Sequence, residues 1–226
     1  MKYIASDSGS GIASVYVQKP GSSSFVSYTN GSQLTVQGKY KFKAYDKAGN
    51  VTSTIHEITL DLTAPVGQLK AGGVNVANGS YTSKPFSYTA TDAVGIAICQ
   101  YKKPNSSEWL TYTQGTNISG TEGWYYFKAT DTAGNVSAES KIFYDVSKPD
   151  LYLIGGPIGG SGVVQTSGAV VNSECIRATA VDTGSGIASF RVWGDNYSSA
   201  VAYTSGTELT KEGRYYFDAT NKAGIS

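Results

Sequence analysis

Histidine, cysteine and charge are all scarce in this 226-residue chain: there is one His, there are two Cys, and charged residues make up 15%, with 18 basic against 17 acidic. The charges are scattered, without the basic stripe that phosphate contacts require, which argues against nucleic acid as a partner. No run of eighteen apolar residues occurs, so no membrane insertion of this segment is expected. The opening MKYIASDSGSGIAS lacks the charged-then-apolar layout of a signal peptide, and no export route can be read from it. Helical spacing of apolar residues is missing as well. Gly, Ser, Thr, Tyr and Val are abundant, and together these features favour an all-β chain.

What the chain does have is an internal repeat, the strongest single guide to architecture. GKYKFKAYDKAGNV from Gly38, GWYYFKATDTAGNV from Gly123 and GRYYFDATNKAGIS from Gly213 align without gaps. Upstream of each lies a second block: YIASDSGSGIAS, YTATDAVGIAI and ATAVDTGSGIAS. Asp7 to Asp46, Asp92 to Asp131 and Asp182 to Asn221 are each 39 positions apart. A third block lies between them, YTNGSQL at Tyr28, YTQGTNI at Tyr112 and YTSGTEL at Tyr203, and the units are joined by DLTAP at Asp61 and DVSKP at Asp145. One repeat is about 85 to 90 residues, the size of a single β-sandwich.

In the block from Gly38, Tyr40, Phe42 and Ala44 alternate with Lys39, Lys41 and Lys43, a period of two that marks a half-buried strand with a solvated lysine face. Tyr125, Phe127 and Ala129 repeat the pattern, as do Tyr215, Phe217 and Ala219. Each strand stops at D-K-A-G-N or its equivalent, where Asp or Asn binds nearby amides and Gly49, Gly134 or Gly224 supplies a positive φ. The upstream block places Tyr3 and Ala5, or Phe86, Tyr88 and Ala90, or Ile176, Ala178 and Ala180, on one side, and the next strand is predicted to begin at Ile12, Ile96 or Ile187.

The motif Y-x-F-x-A-x-[DN]-x-A-G resembles the F strand and F–G turn of immunoglobulin-like and fibronectin type III domains. Leu34, Gly38 and Tyr40, or Leu209, Gly213 and Tyr215, stand in the arrangement of a tyrosine corner, and Ile118, Gly123 and Tyr125 fit with one residue inserted. Phe42, Phe127 and Phe217 occupy the place of the antibody cysteine, so the resemblance is to the tandem immunoglobulin-like repeats of bacterial cell-surface and secreted proteins. It implies tandem β-sandwich domains over residues 1–64, 65–148 and 149–226. The middle repeat is expected to be complete, with a strand A near Gln68 to Lys70 and a strand G near Lys141 to Asp145. The first is expected to lack strand A and the start of B, the third to lack strand G, as in a piece of a longer array. Unpaired outer edges would then invite self-association.

No catalytic, cofactor-binding or metal residues are assigned. His56 stands alone on a strand, far short of a zinc set or a catalytic triad. Cys99 and Cys175 occupy unmatched positions and read as buried thiols rather than a disulfide framework. The Gly-rich run from Gly155 to Gly162 lacks the residues of a phosphate loop and reads as a flexible loop. One ligand reading stays open beside turn chemistry. In the immunoglobulin topology Asp61 approaches Asp92 and Asp131, and Asp145 approaches Asp182 and Asn221, so calcium at the repeat junctions is an alternative to carboxylates that merely cap turns.

The expected function is a non-catalytic stalk or spacer of a bacterial extracellular or cell-surface protein. The alternatives are an adhesin module for a host or cell-surface protein or a glycan, for which Trp109, Trp124 and Trp193 are candidate contacts, and an accessory module of a secreted hydrolase.

Overall fold

The computed structural model describes every residue from Met1 to Ser226 except Ser53. Among the described residues there are no helices, and the chain is all-β, built of several small sheets as β-sandwich domains require. It forms two compact units. The first comprises Met1–Val66, Thr91–Ile98 and Ala129–Ser137, and the second Gly67–Ala90, Cys99–Lys128 and Ala138–Ser226.

The first sheet holds β1 (Ile12–Gln18), β2 (Val26–Tyr28), β3 (Gly38–Asp46) and β4 (His56–Leu60) in the order β2-β1-β3-β4. Next come β5 (Val66–Ala71), β6 (Val74–Val76), β7 (Ser80–Thr82), β8 (Phe86–Thr91), β9 (Ile96–Lys102), β10 (Leu110–Tyr112), β11 (Gly123–Asp131) and β12 (Ser140–Tyr144). They make a sheet β6-β5-β8 and a sheet β10-β9-β11-β12-β7, in which β12 and β7 are parallel. The last six are β13 (Asp150–Gly156), β14 (Val163–Gln165), β15 (Cys175–Val181), β16 (Ile187–Gly194), β17 (Val201–Ala202) and β18 (Tyr215–Asn221), ordered β14-β13-β15 and β17-β16-β18.

The period-two pattern sets the register. Val15 faces Ala44 and Val17 faces Phe42 across β1 and β3, and all four are buried while Lys41 and Lys43 lie on the other face. The pairing slips once between Ile12 and Ser14, and again at the matching place between Ile187 and Ser189. The three tyrosines at the strand entry make the hydrogen bond that defines a tyrosine corner: each hydroxyl donates to a carbonyl four residues upstream, Tyr40 to Val36 (2.6 Å), Tyr125 to Thr121 (2.9 Å) and Tyr215 to Lys211 (2.7 Å).

The cores are not equally filled. Phe42 and Phe127 are fully buried, and each is stacked by a tyrosine four residues before the turn Asp: Tyr3 on Phe42 at 4.2 Å and Tyr88 on Phe127 at 5.1 Å. The matching residue of the third repeat is Ala178, which has no ring to offer. Phe217 is accordingly only half-buried, packed against Phe190 and Tyr203, so it is not the equal of the other two phenylalanines that the alignment suggests.

Three further expectations change. Tyr3 and Ala5 lie outside any strand and are held by Tyr28 and Asn30, because β8 and β15 have β5 and β13 beside them while this segment, among the described residues, has no such neighbouring strand and meets the chain through the bridge Lys2 to Gln33 and the Gly31 amide on the Tyr3 carbonyl. Gly155 and Gly156 are part of β13 rather than a loop. The rest of that glycine-rich run is tied down by Arg177 to the Gly160 carbonyl (2.6 Å), Glu174 to the Ile158 amide and Glu208 to the Gly159 amide. The lysines of β3 are not all free in solvent either. Lys39 and Lys41 both pair with Glu57, and Lys43 lies 4.7 Å from the centre of the Phe25 ring.

Candidate functional site

Two groups of side chains stand out, one in each compact unit, and both are those that the Asp spacing singles out. In the first unit, Asp61 follows β4, Asp92 follows β8 and Asp131 ends β11. One carboxylate oxygen of each lies within 4.8 Å of the others. Asp61 and Asp131 are buried and Asp92 is half-buried.

Local turn chemistry accounts for part of this arrangement. Asp61 Oδ1 accepts the Thr63 amide (3.1 Å) and Asp92 Oδ1 the Val94 amide (2.9 Å). Asp131 Oδ1 accepts the amides of Ala133 (2.8 Å) and Asn135 (2.9 Å), and its Oδ2 accepts Asn135 Nδ2 (2.9 Å). Burial pushes the Asp131 carboxyl up, and these hydrogen bonds, led by the Asn135 side chain, outweigh it, so Asp131 is held below the usual aspartate range. Asn135 Nδ2 also donates to the Asp61 carbonyl at 3.3 Å. Asp61 Oδ2 is buried with no hydrogen-bond partner among the described residues. No Lys or Arg among the described residues forms an ion pair with any of the three.

In the second unit the corresponding residues are Asp145, Asp182 and Asn221. Asp145 Oδ1 accepts the Ser147 amide (3.0 Å), repeating the Asp61 to Thr63 bond. Asp145 Oδ2 accepts the Ser185 amide (2.8 Å) and Asn221 Nδ2 (3.1 Å). The same Asn221 amide reaches Asp182 Oδ2 (3.1 Å) and the Ser147 carbonyl (2.9 Å), while Asn221 Oδ1 accepts the Ile225 amide (2.9 Å). One side-chain amide thus sits between two carboxylates and donates to both. Glu122 closes the rim, accepting from the Ser147 hydroxyl at 2.6 Å.

The spacing of the Asp residues together with the immunoglobulin topology is enough to find both groups, yet two features that set their chemistry escape it. The turn after Asp92 is one residue shorter than that after Asp182, so no counterpart of the Ser185 amide reaches Asp61. In addition, D-T-A-G-N at Asp131 becomes N-K-A-G-I at Asn221: the Asp carries an Asn four residues on, and the Asn carries an Ile. Asp46 follows the rule of Asp131, binding Asn50 Nδ2 at 2.7 Å. That alternation is visible in the letters and is the missed signal.

The other candidates stay apart. His56 is exposed on β4 and makes an edge contact with the Tyr3 ring. Cys99 and Cys175 are buried, free thiols, and burial pushes the Cys99 thiol up. Trp109 lies under Lys102 and Lys128, with Lys128 Nζ 4.3 Å from its ring centre, and Trp124 packs with Tyr81 and Phe143. Trp193 stacks on the exposed Tyr216 at 5.7 Å, beside a shallow cavity of about 340 Å³ lined by Arg191, Tyr197 and Asp218.

No family model matches the chain. Chitinase A1 of Niallia circulans is 37% identical to it over 123 residues. The match takes in 48% of this chain and 17% of the chitinase, so the chain corresponds to a small part of that protein's length.

Proposed function

We propose that the chain is a non-catalytic accessory or spacer segment of a secreted or surface-attached bacterial protein, made of tandem immunoglobulin-like sandwiches. The observation that carries this is the reach of the likeness: it touches 17% of a protein named as an enzyme, which is how a small module shared with a larger enzyme behaves. The repeated tyrosine corners and the matched strand registers support the sandwich reading. Short aspartate-capped connections between repeats suit a spacer.

One observation favours a glycan-binding module as a second reading. The stacked pair Trp193 and Tyr216, flanked by Arg191 and Asp218, offers an apolar face with polar groups at its edge. A sedimentation assay on insoluble chitin and a glycan array, run beside an assay for release of reducing sugar from chitin, separate the cases. The spacer reading expects neither retention nor hydrolysis. Retention abolished by Trp193→Ala selects the glycan-binding module, and hydrolysis overturns the non-catalytic reading.

A further inference from the structure

The polar groups around Asp61, Asp92 and Asp131 lack the donor that their counterparts around Asn221 possess, and we propose that a single calcium ion takes its place, bound by these three carboxylates. The ion would do for the first group what the Asn221 amide does for the second.

Asp61 Oδ2 carries the first part of the case. Asp61 is 6% exposed and that oxygen has no hydrogen-bond partner. Its Oδ1 is already turned to the Thr63 amide, as Asp145 Oδ1 is turned to Ser147. By that equivalence Asp61 Oδ2 faces where Asp145 Oδ2 faces, and there Asp145 meets two donors, Ser185 N and Asn221 Nδ2. Both donors are absent from the first group, one through the shorter turn and one through the exchange of Asn for Asp. A buried carboxylate oxygen left unpaired is costly, and a second and third carboxylate beside it make matters worse.

The donor set and its spacing name the ion. Three carboxylates offer oxygen alone, which suits a hard cation and not zinc, whose sites favour nitrogen and sulfur. Calcium bonds of about 2.3–2.6 Å let two ligand oxygens stand up to about 5 Å apart across the ion, and the three here lie within 4.8 Å of one another. Magnesium, at about 2.0–2.1 Å in a strict octahedron, would demand a tighter set. Asp92, half-buried, leaves an open side through which water completes a shell of six to eight oxygens.

The Asn at the fourth position after Asp131 completes the case. Asn135 Nδ2 holds Asp131 Oδ2 from the side, which orients a carboxylate ligand as a supporting shell does. Beside Asn221 the same position is Ile225, so that no second amide opposes the Asn221 amide.

The test is calorimetric titration of the full 226-residue protein, freed of metal by a chelator, with calcium chloride, followed by thermal melts. One ion should bind per chain. At a hundredfold excess over Kd the calcium-sensitive transition should rise by roughly 5–10 °C. The double variant Asp131→Asn with Asn135→Ile gives the first group the side-chain amide of the second, though not the Ser185 amide; it should melt higher than the wild type in chelator and show no response to the ion. Asp92→Asn, in a half-exposed turn, keeps the fold and should weaken calcium binding about tenfold or more, since affinity follows ligand charge. Absence of binding up to about 10 mM calcium, above the range of the weakest calcium modules, overturns the proposal, as does unchanged affinity in either variant.

Discussion

The groups around Asp61 and Asp145 start from the same linker aspartate and the same linker turn, and they end with opposite needs. At Asp145 the negative charge is met from within: a backbone amide and a side-chain amide converge on one oxygen. At Asp61 the equivalent oxygen is buried and unmet. The difference comes from one deleted residue and from Asp131 standing where the later repeat has Asn221. A repeat unit therefore fixes a position in space, while the polarity at that position is set separately in each copy. The cores differ in the same manner, since Phe127 has the Tyr88 ring over it and Phe217 has only Ala178 in the matching place.

The largest expected effect tests the cores. Phe127→Ala should cost about 3–5 kcal/mol, and Phe217→Ala clearly less, because Phe217 is only half-buried. Denaturant melts followed by tyrosine and tryptophan fluorescence would measure both, and equal losses would remove the distinction between the two regions. Next is Asn221→Asp, which places a third carboxylate in a site 1% exposed and should cost about 3 kcal/mol or more in chelator. Addition of calcium should return much of that loss.

A subtler contrast comes from making both linkers neutral. Asp145→Asn sets an amide against the Asn221 and Ser185 donors and should lower stability by about 2 kcal/mol. Asp61→Asn, measured in chelator, should leave the melting temperature unchanged or higher, since it removes a buried charge that no donor meets. Equal losses in the two variants would mean that the linkers are alike after all.

The smallest effect belongs to Glu57, exposed on β4 and held below the usual glutamate range by hydrogen bonds from Lys39 and Lys41. Because its folded value is lowered, its contribution is present at neutral pH, above the unfolded value, and is lost as pH falls through the folded one. Glu57→Gln should therefore match the wild type at low pH and fall slightly below it near pH 7. A difference confined to acid would contradict this.

Most of the framework is legible in the sequence, and particular residues show why. Ile12, Ile96 and Ile187 do begin strands, because a turn of Asp and Gly followed by alternating apolar residues leaves the backbone few other options. The meeting of Asp61, Asp92 and Asp131 is legible from the 39-residue spacing together with the sandwich topology. What stays hidden depends on neighbours distant in sequence. Burial of Phe217 hinges on a residue nearly 40 positions upstream, and the needs of Asp61 hinge on the length of a turn some 30 positions downstream. Strand β7, three residues paired in parallel with β12, has too little pattern of its own to announce itself.

The tyrosine of the YT block has a consequence for which substitutions each repeat can tolerate. In Tyr28, Tyr112 and Tyr203 the hydroxyl accepts a backbone amide, from Tyr3, Tyr88 and Ala178, and donates to a carbonyl four residues on, at Ser32, Thr116 and Thr207. Phenylalanine would fill the same volume and satisfy neither group. The ring is thus replaceable by shape while the oxygen is not, and one phenolic atom ties together two stretches of main chain that otherwise meet through isolated bridges such as Phe86 to Ile118 and Ile176 to Leu209.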